Sequence, residues 1–131
     1  MKIVQPTGWP RPAGYANAVS ATGRIVSVSG QVGWNPVTET FETDEMAAQV
    51  RQALDNLVVV LRAAGAEPGH VVRLTWYVTD RADYVSSRRE IGEAYRALFA
   101  DHYPAMSVLI VAGLLDRRAK VEIEATAIIP S

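Results

Sequence analysis

Apolar residues at Met46, Val50, Ala53, Leu54, Leu57, Val58 and Leu61 recur at the spacing of one helical face, so Asp44 to Ala64 is predicted as a helix. Thr43 or Asp44 suits its start as a cap, and Gly65 suits its stop. The Val58-Val59-Val60 run has weak helix propensity, so packing must hold that end. A second stripe, Tyr84, Ile91, Tyr95, Leu98 and Phe99, predicts a helix over Asp83 to Ala100, capped by Asp83 and ended by His102-Tyr103-Pro104.

Elsewhere the pattern has the period of a strand. Ala16 to Ala21 and Arg24 to Val32 flank Thr22-Gly23 and read as a hairpin, with Ile25, Val26 and Val28 supplying β-branched side chains. Val71 to Thr79 alternates Leu74, Trp76 and Val78 with Arg73, Thr75 and Tyr77. Met106 to Gly113 and Ala119 to Ile129 are two further strands, joined by a turn over Leu114 to Arg118. Residues 1–14, with Pro6, Gly8, Pro10, Pro12 and Gly14, are expected to be irregular. The order β-β-α-β-α-β-β is most economically satisfied by one mixed sheet with both helices on one face, an α+β fold. The last two strands carry apolar residues in plenty. A bare outer face that apolar would be an aggregation hazard, so burial against further copies of the chain is expected.

Length and composition narrow the function. A chain of 131 residues fits a single domain, and 49% hydrophobic with 21% charged residues makes disorder a poor reading. The net charge of -1, with no basic stripe, argues against nucleic acid as a partner. The lack of cysteine removes disulfides, thiolate metal sites and Cys nucleophiles, and the two histidines, His70 and His102, show no metal-ligand spacing. No metal or cofactor is expected. The opening MKIVQPTGWPRP lacks an apolar h-region and no run has the length of a membrane span, so a cytoplasmic protein without a membrane partner is expected.

An ordered set of segments carries a resemblance. Gly14-Tyr15 precedes a first strand and Ser29-Gly30-Gln31 ends the second. Ala48-Gln49-Val50-Arg51-Gln52-Ala53-Leu54-Asp55-Asn56-Leu57 and Ala63-Ala64-Gly65 follow. Then come Val71-Val72-Arg73 through Val78-Thr79-Asp80, Tyr103-Pro104-Ala105 and Val121-Glu122-Ile123-Glu124-Ala125. Together they resemble the Rid family, also called YjgF/YER057c/UK114, over nearly the whole chain. The resemblance implies a single Rid-like domain over 1–131 with a chorismate-mutase-like (bacillary type) fold. It also implies a homotrimer with clefts at the subunit interfaces and, in the best-studied branch, hydrolysis of reactive imines and enamines without a cofactor.

That branch carries an arginine directly after Pro-Ala, forked onto the substrate carboxylate. This chain has Met106 there, and two residues on, where cysteine is usual, Val108. Methionine cannot pair with a carboxylate, which weighs against the 2-imino-acid deaminase activity of that branch. The second helix is also about one turn longer, with Ser86 to Arg89 as the extra residues.

The resemblance assigns Glu122 as the residue that positions the attacking water, against a structural reading as a charge hydrogen-bonded at an interface. Tyr15, Ser29, Gly30, Trp34, Met106 and Ser107 are the substrate-binding candidates. Each has a plainer reading: core aromatics for Tyr15 and Trp34, close backbone approach for Gly30, strand packing for Met106. Ser29 has no His-Asp signature of a nucleophile. Glu124 reads as structural, Arg117 and Arg118 as solvated, and His70 and His102 as surface residues. Three functions follow: a Rid-like hydrolase or deaminase of an imine, enamine or related metabolite, a non-catalytic regulatory trimer that binds a metabolite, and, third, an endoribonuclease.

Overall fold

A computed structural model describes residues 1–131. Its chain order is β1 (Lys2–Val4), β2 (Ala18–Ser20), β3 (Arg24–Val32), α1 (Met46–Ala63), β4 (Val71–Val78), α2 (Arg81–Ser86), α3 (Arg88–Phe99), β5 (Ala105–Ile110) and β6 (Val121–Ile129). The main sheet runs β3-β6-β4-β5. Strands β4 and β5 are parallel, and β6 is antiparallel to both β3 and β4. The mixed α+β sheet read from the periodicity is present.

Its core lies between the sheet and the helices. Leu54, Leu57 and Leu61 of α1 and Ile91, Tyr95 and Phe99 of α3 pack on Leu74, Trp76, Val78, Val121 and Ile123. Helix α1 closes as Gly65 predicts: that residue takes φ +82°, and the N–H groups of Gly65 and Ala66 donate to the carbonyls of Arg62 and Leu61. At its start no side chain of the N-cap residue, Glu45, bonds to the helix; the Thr43 hydroxyl accepts from the Glu45 N–H instead. Buried Gln49 then fastens the first turn. Its Nε2 donates to the carbonyls of Thr43 and Arg118, and its Oε1 accepts from the Lys120 N–H.

Four expectations are corrected. The hairpin across Thr22-Gly23 does not form; β2 pairs with β1 in a separate small sheet. A two-residue turn of the favoured type needs positive φ at both positions, and of this pair only Gly23 has it. For the same reason residues 1–14 are not wholly irregular. The second helix is two helices broken at Ser87, inside the segment read as extra, and Asp80 rather than Asp83 caps it by accepting from the Asp83 N–H. Last, the outer sheet face is not apolar. Register puts Ser27, Arg73, Thr75, Tyr77, Glu122, Glu124 and Thr126 at its centre, because Leu74, Trp76, Val78, Val121, Ile123, Ala125 and Ala127 turn to the helices; Ile25 and Ile128 at one edge and Leu109 at the other are its apolar members. The edge strand β5 carries three consecutive exposed apolar residues, Val108, Leu109 and Ile110, each more than 40% exposed.

Candidate functional site

Strand β3 carries a bulge between Val28 and Gln31, which holds Ser29 and Gly30. Glu122, on the neighbouring strand, lies over that bulge. A Cβ at Gly30 would stand 2.0 Å from Glu122 Oε2 and 2.6 Å from its carboxyl carbon, so only glycine admits the carboxylate there. Glu122 is half-buried and sits in register between Val32 and Tyr77. The Tyr77 hydroxyl donates to Glu124 Oε1 at 2.6 Å. That hydrogen bond, then desolvation and the negative charges of Glu124 and Glu122, push the Tyr77 phenol above its usual range, while Arg73 opposes the shift. Arg73 Nη2 also reaches Ser107 Oγ at 3.4 Å. The result is a polar strip of Ser107, Arg73, Tyr77, Glu124 and Glu122. Nothing in the sequence pattern had singled out Tyr77 or Arg73; the signal was their alternation with buried Leu74, Trp76 and Val78.

Met106 is elsewhere. It pairs with Leu74 in the parallel ladder and so points to the helix side, as does Val108 opposite Trp76. The sheet therefore separates Met106 from Glu122 within one chain. Met106 lines a cavity of about 350 Å³ between β5 and the α2–α3 segment, with Trp76, Tyr84, Ile91, Tyr103 and the arginines Arg88 and Arg96. Burial pushes the Tyr84 phenol up and the Arg88 charge opposes it. Tyr95, also on the cavity wall, is pushed far above the usual phenol range, chiefly by burial, and donates to the His102 carbonyl.

The N-terminal segment reaches this region through the Ala16 N–H, which donates to the Pro104 carbonyl at 3.0 Å. It brings Gly14 to the cavity wall. Tyr15, 42% exposed, borders an adjacent hollow beside His102 and Tyr103. Ser29 is exposed and its carbonyl accepts from the Gln31 side chain. Trp34 packs against Phe41 with ring centroids 5.9 Å apart, and its carbonyl accepts from buried Asn56. Both histidines hold backbone: His102 Nε2 donates to the Val71 carbonyl and His70 Nδ1 accepts from the Glu67 N–H. Arg118, read as solvated, is latched to Asp44 and to the Phe41 carbonyl. No three His, Asp or Glu side chains converge in a metal-ligating group. No helix is long and apolar enough to cross a membrane.

Fold and site thus define a mixed-sheet α+β protein with a carboxylate strip on one sheet face and a small-molecule-sized cavity behind its edge strand. The chain belongs to the Rid (YjgF) family; the family model described as endoribonuclease L-PSP matches residues 10–129. The 2-iminobutanoate/2-iminopropanoate deaminase of Escherichia coli (strain K12) is 38% identical over 109 residues, 81% of this chain and 80% of that protein. The crystal structure of the Rid-family protein YyfB from Yersinia pestis is similar with a TM-score of 0.85 at 34% identity, over 98% of both chains. Escherichia coli TdcF, solved with bound serine, is similar with a TM-score of 0.69 at 30% identity, over 98% of this chain and 99% of that one.

Proposed function

We propose that this single Rid-like domain is a cytoplasmic, cofactor-independent hydrolase of a reactive imine or enamine, working in a cleft between subunits of a chorismate-mutase-like homotrimer. One observation carries the reading: Glu122 is seated on Gly30 with a carboxylate that no hydrogen bond to the protein occupies, in a setting built to hold it. The exposed apolar edge of Val108, Leu109 and Ile110 supports assembly. So does the separation of the Glu122 strip from the Met106 cavity, since only a second copy can bring one half against the other.

The reaction needs little machinery. Water adds to the carbon of the protonated C=N group with Glu122 taking one of its protons, which gives a carbinolamine with OH and NH2 on one carbon. Glu122 then returns that proton to nitrogen and takes the hydroxyl proton as ammonia leaves and the carbonyl forms. Tyr15, Ser29, Ser107 and backbone N–H groups hold the polar atoms in place, and the deaminase named among the relatives supports the chemistry. Ammonia release from imines made in situ by an amino-acid oxidase tests this. Acceleration over buffer that is lost in Glu122→Gln is the expected result. No acceleration for any imine, with tight binding of a metabolite, would overturn it in favour of the regulatory trimer. RNA cleavage is disfavoured by the net charge of -1 and by the carboxylates on the open face.

A further inference from the structure

The cavity behind β5 is cationic, yet no acidic side chain lines it. Of the three arginines on α3, Arg89 pairs with Glu93 at 3.6 Å, whereas neither Arg88 nor Arg96 takes part in any ion pair or side-chain hydrogen bond. Both of these line the cavity. Both are exposed residues eight positions apart on one helix, and an anion in the hollow would meet cations that no carboxylate neutralises.

Arg96 is also aimed. Its guanidinium lies against Gly92, one turn back: a Cβ there would stand 3.0 Å from Nη1, 3.6 Å from Nη2 and 3.7 Å from Cζ. Those distances place the fork over the bare backbone, on the side where Gly92 itself borders the cavity. Trp76 also lines the cavity, but its indole N–H is wholly buried and so is closed to a ligand there.

The lining also includes Met106, Ile91, Tyr84 and Tyr103, which are aliphatic and aromatic side chains. Arg118 is committed to Asp44, and Arg73 is on the far side of the sheet.

We infer that Arg96, assisted by Arg88, is the carboxylate grip of this chain, supplied by α3 in place of an arginine at position 106, and that the site takes a carboxylate bearing a bulky apolar or aromatic body. Arg96 forks onto the carboxylate. The body lies on Met106 and the tyrosines, where an arginine at 106 would have stood. The inference rests on the cleft reading above only for the chemistry that follows binding.

The test uses phenylpyruvate, the stable product-like acid, and its methyl ester as probes of the full-length protein in titration calorimetry. The acid is expected to bind and the ester not. Arg96→Gln is expected to weaken the acid at least tenfold and Arg88→Gln less. Arg96→Lys should keep part of the affinity, and Gly92→Ala should lose part of it by lifting the fork. Circular dichroism and sedimentation confirm that each variant keeps its fold and assembly. Equal binding of acid and ester, absent binding of the acid, or unchanged binding in a folded Arg88→Gln, Arg96→Gln double variant overturns the inference. Ammonia release from the phenylalanine imine separates the two claims. Binding through Arg96 without acceleration keeps the inference and ends the hydrolase reading. Acceleration that Arg96→Gln leaves unchanged keeps the hydrolase reading and ends the inference.

Discussion

On the open face of the sheet, Glu122 and Glu124 flank Tyr77, with Arg73 the one cation beside them; behind the sheet, Arg88 and Arg96 share a hollow with aromatic and aliphatic side chains and no carboxylate. The same strands build both regions, since alternation sends Tyr77 one way and Trp76 the other. An acid that must activate water and a cation that must hold a carboxylate would neutralise each other if they touched. Backing them onto opposite faces keeps each free, and in the proposed assembly contact between copies would be the step that combines them.

The comparison breaks most completely at the strand edge. Leu109→Asp changes a residue that is 43% exposed, so it should alter the stability of the single chain by only about 0.5 kcal/mol. It should nevertheless dissociate the assembly in sedimentation and abolish ammonia release. Next in size, Glu122→Gln should lower turnover by about 10²–10⁴-fold while leaving phenylpyruvate affinity intact. Gly30→Ala should follow at about 10²-fold, because the new methyl group forces the Glu122 carboxylate off the bulge.

The smallest effects sharpen the contrast between two tyrosines. Tyr77 is raised chiefly by its bond to Glu124 and partly by carboxylate charge, Tyr95 chiefly by burial. Added salt should therefore lower the Tyr77 titration in ultraviolet absorbance and leave Tyr95 unmoved. The raised phenols also fix a sign. The unfolded chain ionises first as pH climbs past about 10, so stability is whole below that pH and falls above it. Tyr95→Phe should flatten that alkaline fall in urea midpoints and cost about 1 kcal/mol at neutral pH through the lost bond to His102.

The helical stripe of α1 and the alternation of β4 and β6 were legible because burial on one side imposes a period. Which side would be buried was not. Ile123 and Glu122 alternate equally well with either face inward, and the outer face was expected to be apolar when its centre is polar. Met106 and Glu122 were both read as residues of a cleft between subunits, and the sequence did not show that the parallel pairing of β5 sets them on opposite sides of the sheet within one chain. Turn chemistry misled at Thr22-Gly23, where the glycine serves a corner. Glu122 and Gly30 were named separately; their contact was invisible until two strands far apart in sequence lay together. Arg96 carried no signal at all, since an arginine one turn after a glycine on a helix looks like any solvated charge.

The Gln49 amide has a consequence for how the chain matures. Two of its three partners, Arg118 and Lys120, lie 69 and 71 residues further along. A ribosome releases those residues long after the helix itself has emerged. Until then the opening turn of α1 has neither a capping side chain nor this clasp, and amide protons there should exchange freely in a nascent chain halted before residue 118. The clasp snaps shut only when the final strand arrives, so the first helix to be made is among the last to be finished.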